Sequence, residues 1–295
     1  MKIVVTGSLG HISKPLTEEL VQKGHAVTVI SSKAEKQRDI QALGATAAIG
    51  SLDNPGFLTT IFKGADAVYC MVPPANYMDP NIDISAYVRR IANSYVQAIQ
   101  QSGVKRVVFL SSVGAHMSEG NGIIRDHHEA ESLLSKLSGI DITFVRPVSF
   151  YYNLLGFMGM IKKGFIAANY GADKIIWVSP KDIAAAISEE IVTPLKGKKV
   201  RYVASDERTG SETAAVIGSA IGNPNLKWNV ISDEQYQKGL ETAGLQPAIA
   251  AGLTEMWASV RSGKFWEDYK LHKPDKMGKV KLEDYAKDFA AAYKS

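Results

Sequence analysis

Cysteine is almost missing from this chain: Cys70 stands alone among 295 residues. A single thiol closes no internal disulfide, and the scarcity of cysteine fits a reducing, cytoplasmic setting. Cys70 lies inside the apolar run 67–72, so a buried, inert thiol is expected rather than a reactive one. Long hydrophobic runs are lacking too. No uninterrupted apolar stretch approaches the roughly 20 residues that cross a bilayer. No signal-peptide pattern precedes the first strand, so no membrane partner is expected. Charge of one sign is scarce: 34 Lys and Arg against 30 Asp and Glu leave a formal net charge of +4. Only the segment from Lys270 to Lys281 concentrates positive charge. A nucleic-acid surface needs a denser patch with stacking aromatics, so no nucleic-acid partner is expected. Six histidines without a His-Glu-x-x-His spacing give no metal-ligand pattern. The adjacent His127 and His128 would point about 100° apart on a helix and could not easily share an ion.

What is present is a rhythm. Strand-like runs fall at 2–6, 26–31, 45–49, 65–72, 105–111 and 140–146, rich in Val, Ile, Ala and Phe without strict alternation. Strands covered on both faces read this way. Helices are expected near 12–23, 34–42, 55–62, 82–101 and 126–138. In the fourth, Ile84, Val88, Ile91, Tyr95 and Ile99 make one stripe that should face a sheet. Gly24, Gly44, Gly64, Gly103 and Gly139 each stand between a helix and the next strand, where a left-handed residue ends the helix. The pattern predicts an α/β fold, a Rossmann-like doubly wound parallel sheet with right-handed crossovers over residues 1–150. The rhythm then loosens. Residues 151–295 read as a smaller, mainly helical C-terminal lobe. Strand candidates lie there at 174–178 and 199–203, the second able to return to the main sheet. Helices are expected from Tyr152 onward, at 180–192 and near 209–221, 232–243, 248–261 and 283–293.

The first thirty-three residues carry the strongest chemical signal. Gly7-Ser8-Leu9-Gly10-His11-Ile12-Ser13 follows a strand and opens a helix. Backbone amides in such a turn receive a pyrophosphate at the helix N-terminus. Ser13 replaces a third glycine and is small enough for close helix–sheet approach. The second strand ends in Ser31, Ser32 and Lys33, with no Asp or Glu to grip ribose hydroxyls. Hydroxyls and an ammonium suit a 2′-phosphate, so the residues favour NADP(H) over NAD(H); Lys36 is equally placed. Leu52 and Asp53 follow the third strand, where Asp53 either accepts from an adenine amino group or caps the next helix. Met71, Val72 and Pro73 follow the fourth and would pass beneath the cofactor.

Chemistry is expected after the fifth strand, at Ser111 and Ser112, whose hydroxyls would lie beside a nicotinamide. The Tyr-x-x-x-Lys acid pair usual in short-chain dehydrogenases is not expected in this chain, and the region where it would stand reads Arg125-Asp126-His127-His128-Glu129-Ala130-Glu131 instead. His127 or His128, His127 first, is the candidate proton donor or cofactor-orienting group, since histidine titrates near neutral pH; a solvent-facing helix start is the plainer alternative. After the sixth strand, Pro147 fixes a turn. Phe150, Tyr151, Tyr152, Phe157, Met158, Met160, Phe165 and Trp177 either wall a pocket for a flat, apolar or aromatic substrate or make ordinary core.

These features together resemble the NmrA-like group of atypical short-chain dehydrogenases/reductases, over essentially the whole chain. The likeness rests on the glycine turn, Ser111-Ser112-Val113-Gly114-Ala115, His128 to Glu131, Ser138 to Pro147, Val178 to Ala184, Ala220 to Pro224 and Lys281 to Ala286. It is nearest to NAD(P)H-dependent quinone and triphenylmethane reductases. The resemblance implies pyrophosphate at the turn, the adenosine phosphate at Ser31 to Lys33, and the cofactor ribose at Met71 to Pro73. Where several relatives carry a lysine four positions before the helix glutamate, this chain has His127. The implied activity is NADPH-dependent hydride transfer to a quinone-like or other conjugated acceptor, by a monomer or homodimer. The alternative is a non-catalytic NAD(P)-sensing regulator, since one scaffold hosts both roles.

Overall fold

Seven parallel strands make the main sheet of this computed structural model, which describes residues 1–79 and 81–294; Ser295, the end of the expected second lobe, lies outside the described residues. They are β1 (Lys2–Val5), β2 (Ala26–Ser31), β3 (Thr46–Ile49), β4 (Ala67–Cys70), β5 (Arg106–Leu110), β6 (Asp141–Pro147) and, after three short strands of the lobe, β10 (Lys198–Val203). Their order across the sheet is β10-β6-β5-β4-β1-β2-β3. The chain reverses its direction of travel between β1 and β4, and a crevice opens at the strands' carboxyl ends there.

Both faces of the sheet are buried, which explains the unalternating strands. Ile3, Val5, Tyr69, Val108 and Leu110 join one core, and Val4, Val68, Cys70, Val107 and Phe109 join the other. Helices α1 (Ser13–Gln22) and α7 (Pro180–Val192) cover the first face. Helices α3 (Pro55–Phe62), α4 (Ile84–Ser102) and α5 (Arg125–Ser135) cover the second, and α2 (Gln37–Ala42) links β2 to β3. Gly24, Gly44, Gly64 and Gly103 follow helix ends with positive φ as expected; Gly139 also has positive φ but stands in the loop beyond α5, which stops at Ser135. The expected α4 stripe divides: Ile91, Tyr95 and Ile99 enter the core, while Ile84 and Val88 run beyond the sheet and face a cleft.

The C-terminal third has its own core around Trp177, Tyr151, Trp228 and Phe289. Helices α6 (Met158–Ile161), α8 (Gly210–Ile221), α9 (Asp233–Thr242), α10 (Pro247–Ser262), α11 (Glu267–Leu271) and α12 (Leu282–Lys294) dominate it. The helix expected from Tyr152 is instead a 3-10 segment, Tyr151–Phe157, before the one-turn α6. Two small sheets join the lobe. One holds β7 (Ser149–Phe150), β9 (Ile175–Val178) and β11 (Asp206–Arg208); the other pairs β8 (Phe165–Ala168) with β12 (Lys227–Val230). β10 pairs in parallel with β6, so the chain returns to the main sheet from within the lobe.

Candidate functional site

The turn after β1 is held open by its side chains. Gly7 has φ +89°, and a Cβ there would stand 2.5 Å from Ser13 Oγ and 3.1 Å from Met71 Sδ. Ser13 is buried; its Oγ donates to the Thr6 carbonyl at 2.8 Å and pins α1 against β1. No side chain caps α1 at Ile12; the Lys14 amide donates to the Gly10 carbonyl at 3.0 Å and Pro15 has no N–H, so of the first three helical positions the Ser13 amide is the one without a protein acceptor among the described residues. Across the crevice, the Met71 amide donates to Thr6 Oγ1 at 3.0 Å, and Tyr95 donates its hydroxyl to the Met71 carbonyl at 2.7 Å. Two side chains thus replace ladder partners as the chain leaves β4, and Met71, Val72 and Pro73 form one wall.

At the end of β2, Ser31 is buried. Its Oγ accepts from Ser8 Oγ at 2.9 Å and from the Lys33 amide at 3.2 Å, so it shapes the loop. Ser32 and Lys33 are exposed. Lys36 is tied to Asp39 at 3.2 Å, whereas Lys33 has no carboxylate partner among the described residues. Of the two readings of Asp53, capping falls to Asn54, whose Oδ1 accepts from the Phe57 amide at 3.0 Å. Asp53 accepts from Ser51 Oγ at 2.5 Å, with Arg90 Nε at 3.8 Å.

These elements border one cleft of about 830 Å³. Gly7, Gly10, His11, Ile12, Ser31, Ser32, Leu52, Asp53, Met71, Val72, Pro73, Ser111, Ser112, His127 and Phe150 all line it. Leu9, Lys33 and Pro147 do not. Leu9 packs on the core, Lys33 stands in solvent beside Ser32, and Pro147 is buried in β6, its carbonyl accepting from the Val113 amide at 2.9 Å. Ser111 is buried, with Oγ donating to Glu131 Oε1 at 2.5 Å. Burial pushes the His127 imidazole below its ordinary range, against the pull of Glu131, and its Nδ1 is buried without a partner. His128 turns elsewhere, its Nδ1 at 2.9 Å from the Ala115 carbonyl.

Of the expected aromatic wall, Phe150, Tyr152 and Phe157 face the cleft. Tyr152 stacks between Phe150 at 4.9 Å and His11 at 4.6 Å, joining the lobe to the glycine turn. Tyr151 and Trp177 are buried lobe core, stacked at 6.2 Å, and Met160 is on the surface. The rest of the wall comes from residues with no local sequence signal, among them Tyr77, Tyr87, Tyr170, Tyr236 and Trp257.

The Tyr-x-x-x-Lys spacing does occur, at Tyr170–Lys174 and Tyr269–Lys273. Neither pair forms the usual acid. Tyr170 is stacked on Trp257 at 3.5 Å, and burial pushes its hydroxyl up, the opposite of what a working ammonium neighbour does. Tyr269 is absent from the cleft wall, and Lys273 pairs with Glu207 at 2.6 Å.

The profile of the NAD(P)H-binding family matches residues 7–192, well over half of the sequence. The chain belongs to that family. The glycine turn, uncapped α1 and open crevice fit the dinucleotide. The chain is 26% identical over 258 residues to an NAD(P)H azoreductase of Xenophilus azovorans, covering 87% of this chain and 86% of the relative. In fold it is similar to an NADPH-dependent quinone oxidoreductase from Escherichia coli solved with NADPH, with a TM-score of 0.79, 21% identity, and coverage of 97% of this chain and 99% of the other. It is also similar to the triphenylmethane reductase of Citrobacter sp. complexed with NADP(H), with a TM-score of 0.76, 18% identity and coverage of 98% and 99%. Among the described residues no helix is long and apolar enough to cross a membrane.

Proposed function

We propose that this member of the NAD(P)H-binding family is an NADPH-dependent reductase acting on a quinone-like or other conjugated aromatic acceptor, a cytoplasmic enzyme of the NmrA-like group. The observation that carries the reading is continuity. One cleft runs from the glycine turn, past Ser111, Ser112 and His127, into a chamber walled by Tyr77, Tyr236 and Trp257. A purely sensing protein needs the first half of that cleft and not the second.

When bound, the dinucleotide supplies hydride. The amides of the turn and of α1 hold its pyrophosphate, and Ser32 and Lys33 hold the 2′-phosphate. Ser112 has a hydroxyl free of protein partners among the described residues, and it faces the cleft. Ser111 spends its proton on Glu131, so it offers lone pairs to a donor on the ligand. His127, kept neutral by burial, presents an uncharged ring to the cleft, its Nδ1 enclosed by protein. An electron-poor acceptor takes hydride with little acid help, and its proton comes from water. Positioning on the aromatic walls then supplies much of the rate.

The test is NADPH and NADH oxidation by purified protein against a panel of quinones, dyes and enals. Turnover of flat conjugated acceptors, faster with NADPH, supports the reading. Tight NADPH binding with no turnover of any acceptor would instead assign the chain to the sensing role.

A further inference from the structure

The acceptor end of the cleft contains a carboxylate that the reductase reading does not use. Asp126 opens α5 beside His127 and lines the cleft, though only 7% exposed. Its Oδ1 accepts the Ser85 hydroxyl at 2.7 Å. Its Oδ2 has no protein donor among the described residues and is not among the enclosed, unpartnered atoms, so it opens to the cleft. Burial pushes the carboxyl up, and the Ser85 hydroxyl and the exposed Arg125 pull it back. Tyr77 shares the cleft wall with Asp126, and burial and the charge of Asp126 both push its phenol up. Among the described residues, no Lys or Arg lines the cleft. The other carboxylate on the wall, Asp53, lies at the far end and has Arg90 nearby.

A buried carboxylate with one free oxygen, on a cleft wall that carries aromatic rings and no Lys or Arg among its described lining residues, treats ligands by charge. It gains from a positive or hydrogen-bond-donating group and is repelled by an anion that has no ammonium or guanidinium to meet it. We propose that Asp126 is the specificity-determining residue of this cleft, admitting neutral and cationic conjugated acceptors and excluding anionic ones. This rests on the reductase reading and narrows its substrate class.

The experiment compares 1,2-naphthoquinone, its 4-sulfonate and a trimethylammonium-substituted naphthoquinone. Two quantities are measured: kcat/KM with NADPH, and binding to the NADP⁺-loaded protein by quenching of tryptophan fluorescence. The native protein should disfavour the sulfonate. Asp126→Asn, which keeps an oxygen for Ser85, should narrow the gap by roughly tenfold or more, the size of a like-charge contact at intermediate dielectric. Asp126→Glu should restore the gap, and Ser85→Ala, which leaves the charge in place, should preserve it. Equal handling of the three acceptors by native protein, or an unchanged gap in soluble, folded Asp126→Asn, overturns the proposal. Charge-selective binding without turnover would overturn the reductase reading alone. Binding of none of the three would overturn both.

Discussion

Ser111 and Glu131 share one proton position: Ser111 Oγ donates to Glu131 Oε1 at 2.5 Å, and Arg146 forks onto the same carboxylate at 2.9 and 2.6 Å. Arg146 also reaches Asp268 at 2.8 Å, and Tyr202 bonds to that second carboxylate. A residue on the cleft wall is thereby tied through α5 and β6 to α11 in the lobe. Arg146 and Glu131 have side chains only 7% and 10% exposed. Removing the cation leaves a buried carboxylate without its partner, so Arg146→Met should lower stability by about 3–5 kcal/mol. Urea unfolding checks this, with the more exposed Arg208–Glu283 pair as control; Glu283→Ala, which leaves Arg208 paired with Asp206, should cost no more than about 1 kcal/mol.

Lys33 and Lys36 differ in availability, not in charge. Lys33→Ala should weaken NADPH binding by roughly 10- to 100-fold, the worth of a charge-assisted contact to phosphate, and leave NADH nearly unaffected. Lys36→Ala should change little, because its ammonium is already paired with Asp39. Calorimetric titration of both dinucleotides reads the difference. An unaltered preference in Lys33→Ala would remove the phosphate assignment.

Gly7→Ala combines a left-handed backbone with a 2.5 Å approach to Ser13 Oγ. The backbone strain alone is about 1–2 kcal/mol. Moving Ser13 would also release α1 from β1. Dinucleotide binding should drop more sharply than thermal stability, and the two measured on one sample separate the effects.

Burial lowers both His127 and His116 from the ordinary 6.5, and both ring nitrogens of His116 lack partners. The unfolded chain therefore takes up protons first as pH falls through 6.5. Their contribution is whole above that value and is lost on acidification toward the folded-state values. The slope is at most about 1.4 kcal/mol per pH unit for each histidine. Denaturation midpoints between pH 7.5 and roughly 5 should fall in native protein and flatten in a His116→Gln, His127→Gln variant.

Cys70 is fully buried, and burial pushes its thiol up. A soluble disulfide reagent should leave it unmodified in the native protein and react once urea unfolds the chain. Labelling at the native rate of a free thiol would show that the sheet opens locally near β4.

The legible parts of this molecule share a cause. The Gly7–Gly10 turn, the Ser31–Lys33 strand end and the four helices that end at Gly24, Gly44, Gly64 and Gly103 are local events, decided within a few residues of chain. Their backbone conformation follows from glycine's freedom and from apolar runs too continuous to be half-solvated. Even the return of β10 to the sheet was visible as a candidate, because its valines and tyrosine suit a strand. The 3-10 segment at Tyr151–Phe157 and the small strands β8 and β12 were not visible. Their propensities are weak, and pairing partners some sixty positions away stabilise them.

The amino-acid order by itself determined the doubly wound sheet and the glycine turn that opens onto its crevice, because short-range backbone preference and two-sided burial leave few other arrangements. Only the tertiary structure decided which hydroxyl is free, which lysine is unpaired and which rings wall the cleft. Ser111 and Ser112 are neighbours of one type, yet Glu131, twenty residues on, claims one and leaves the other. Tyr77, Asp126, Tyr236 and Trp257 meet only when separate helices and loops pack over the crevice. Such contacts depend on long-range packing, and no window of local sequence encodes them.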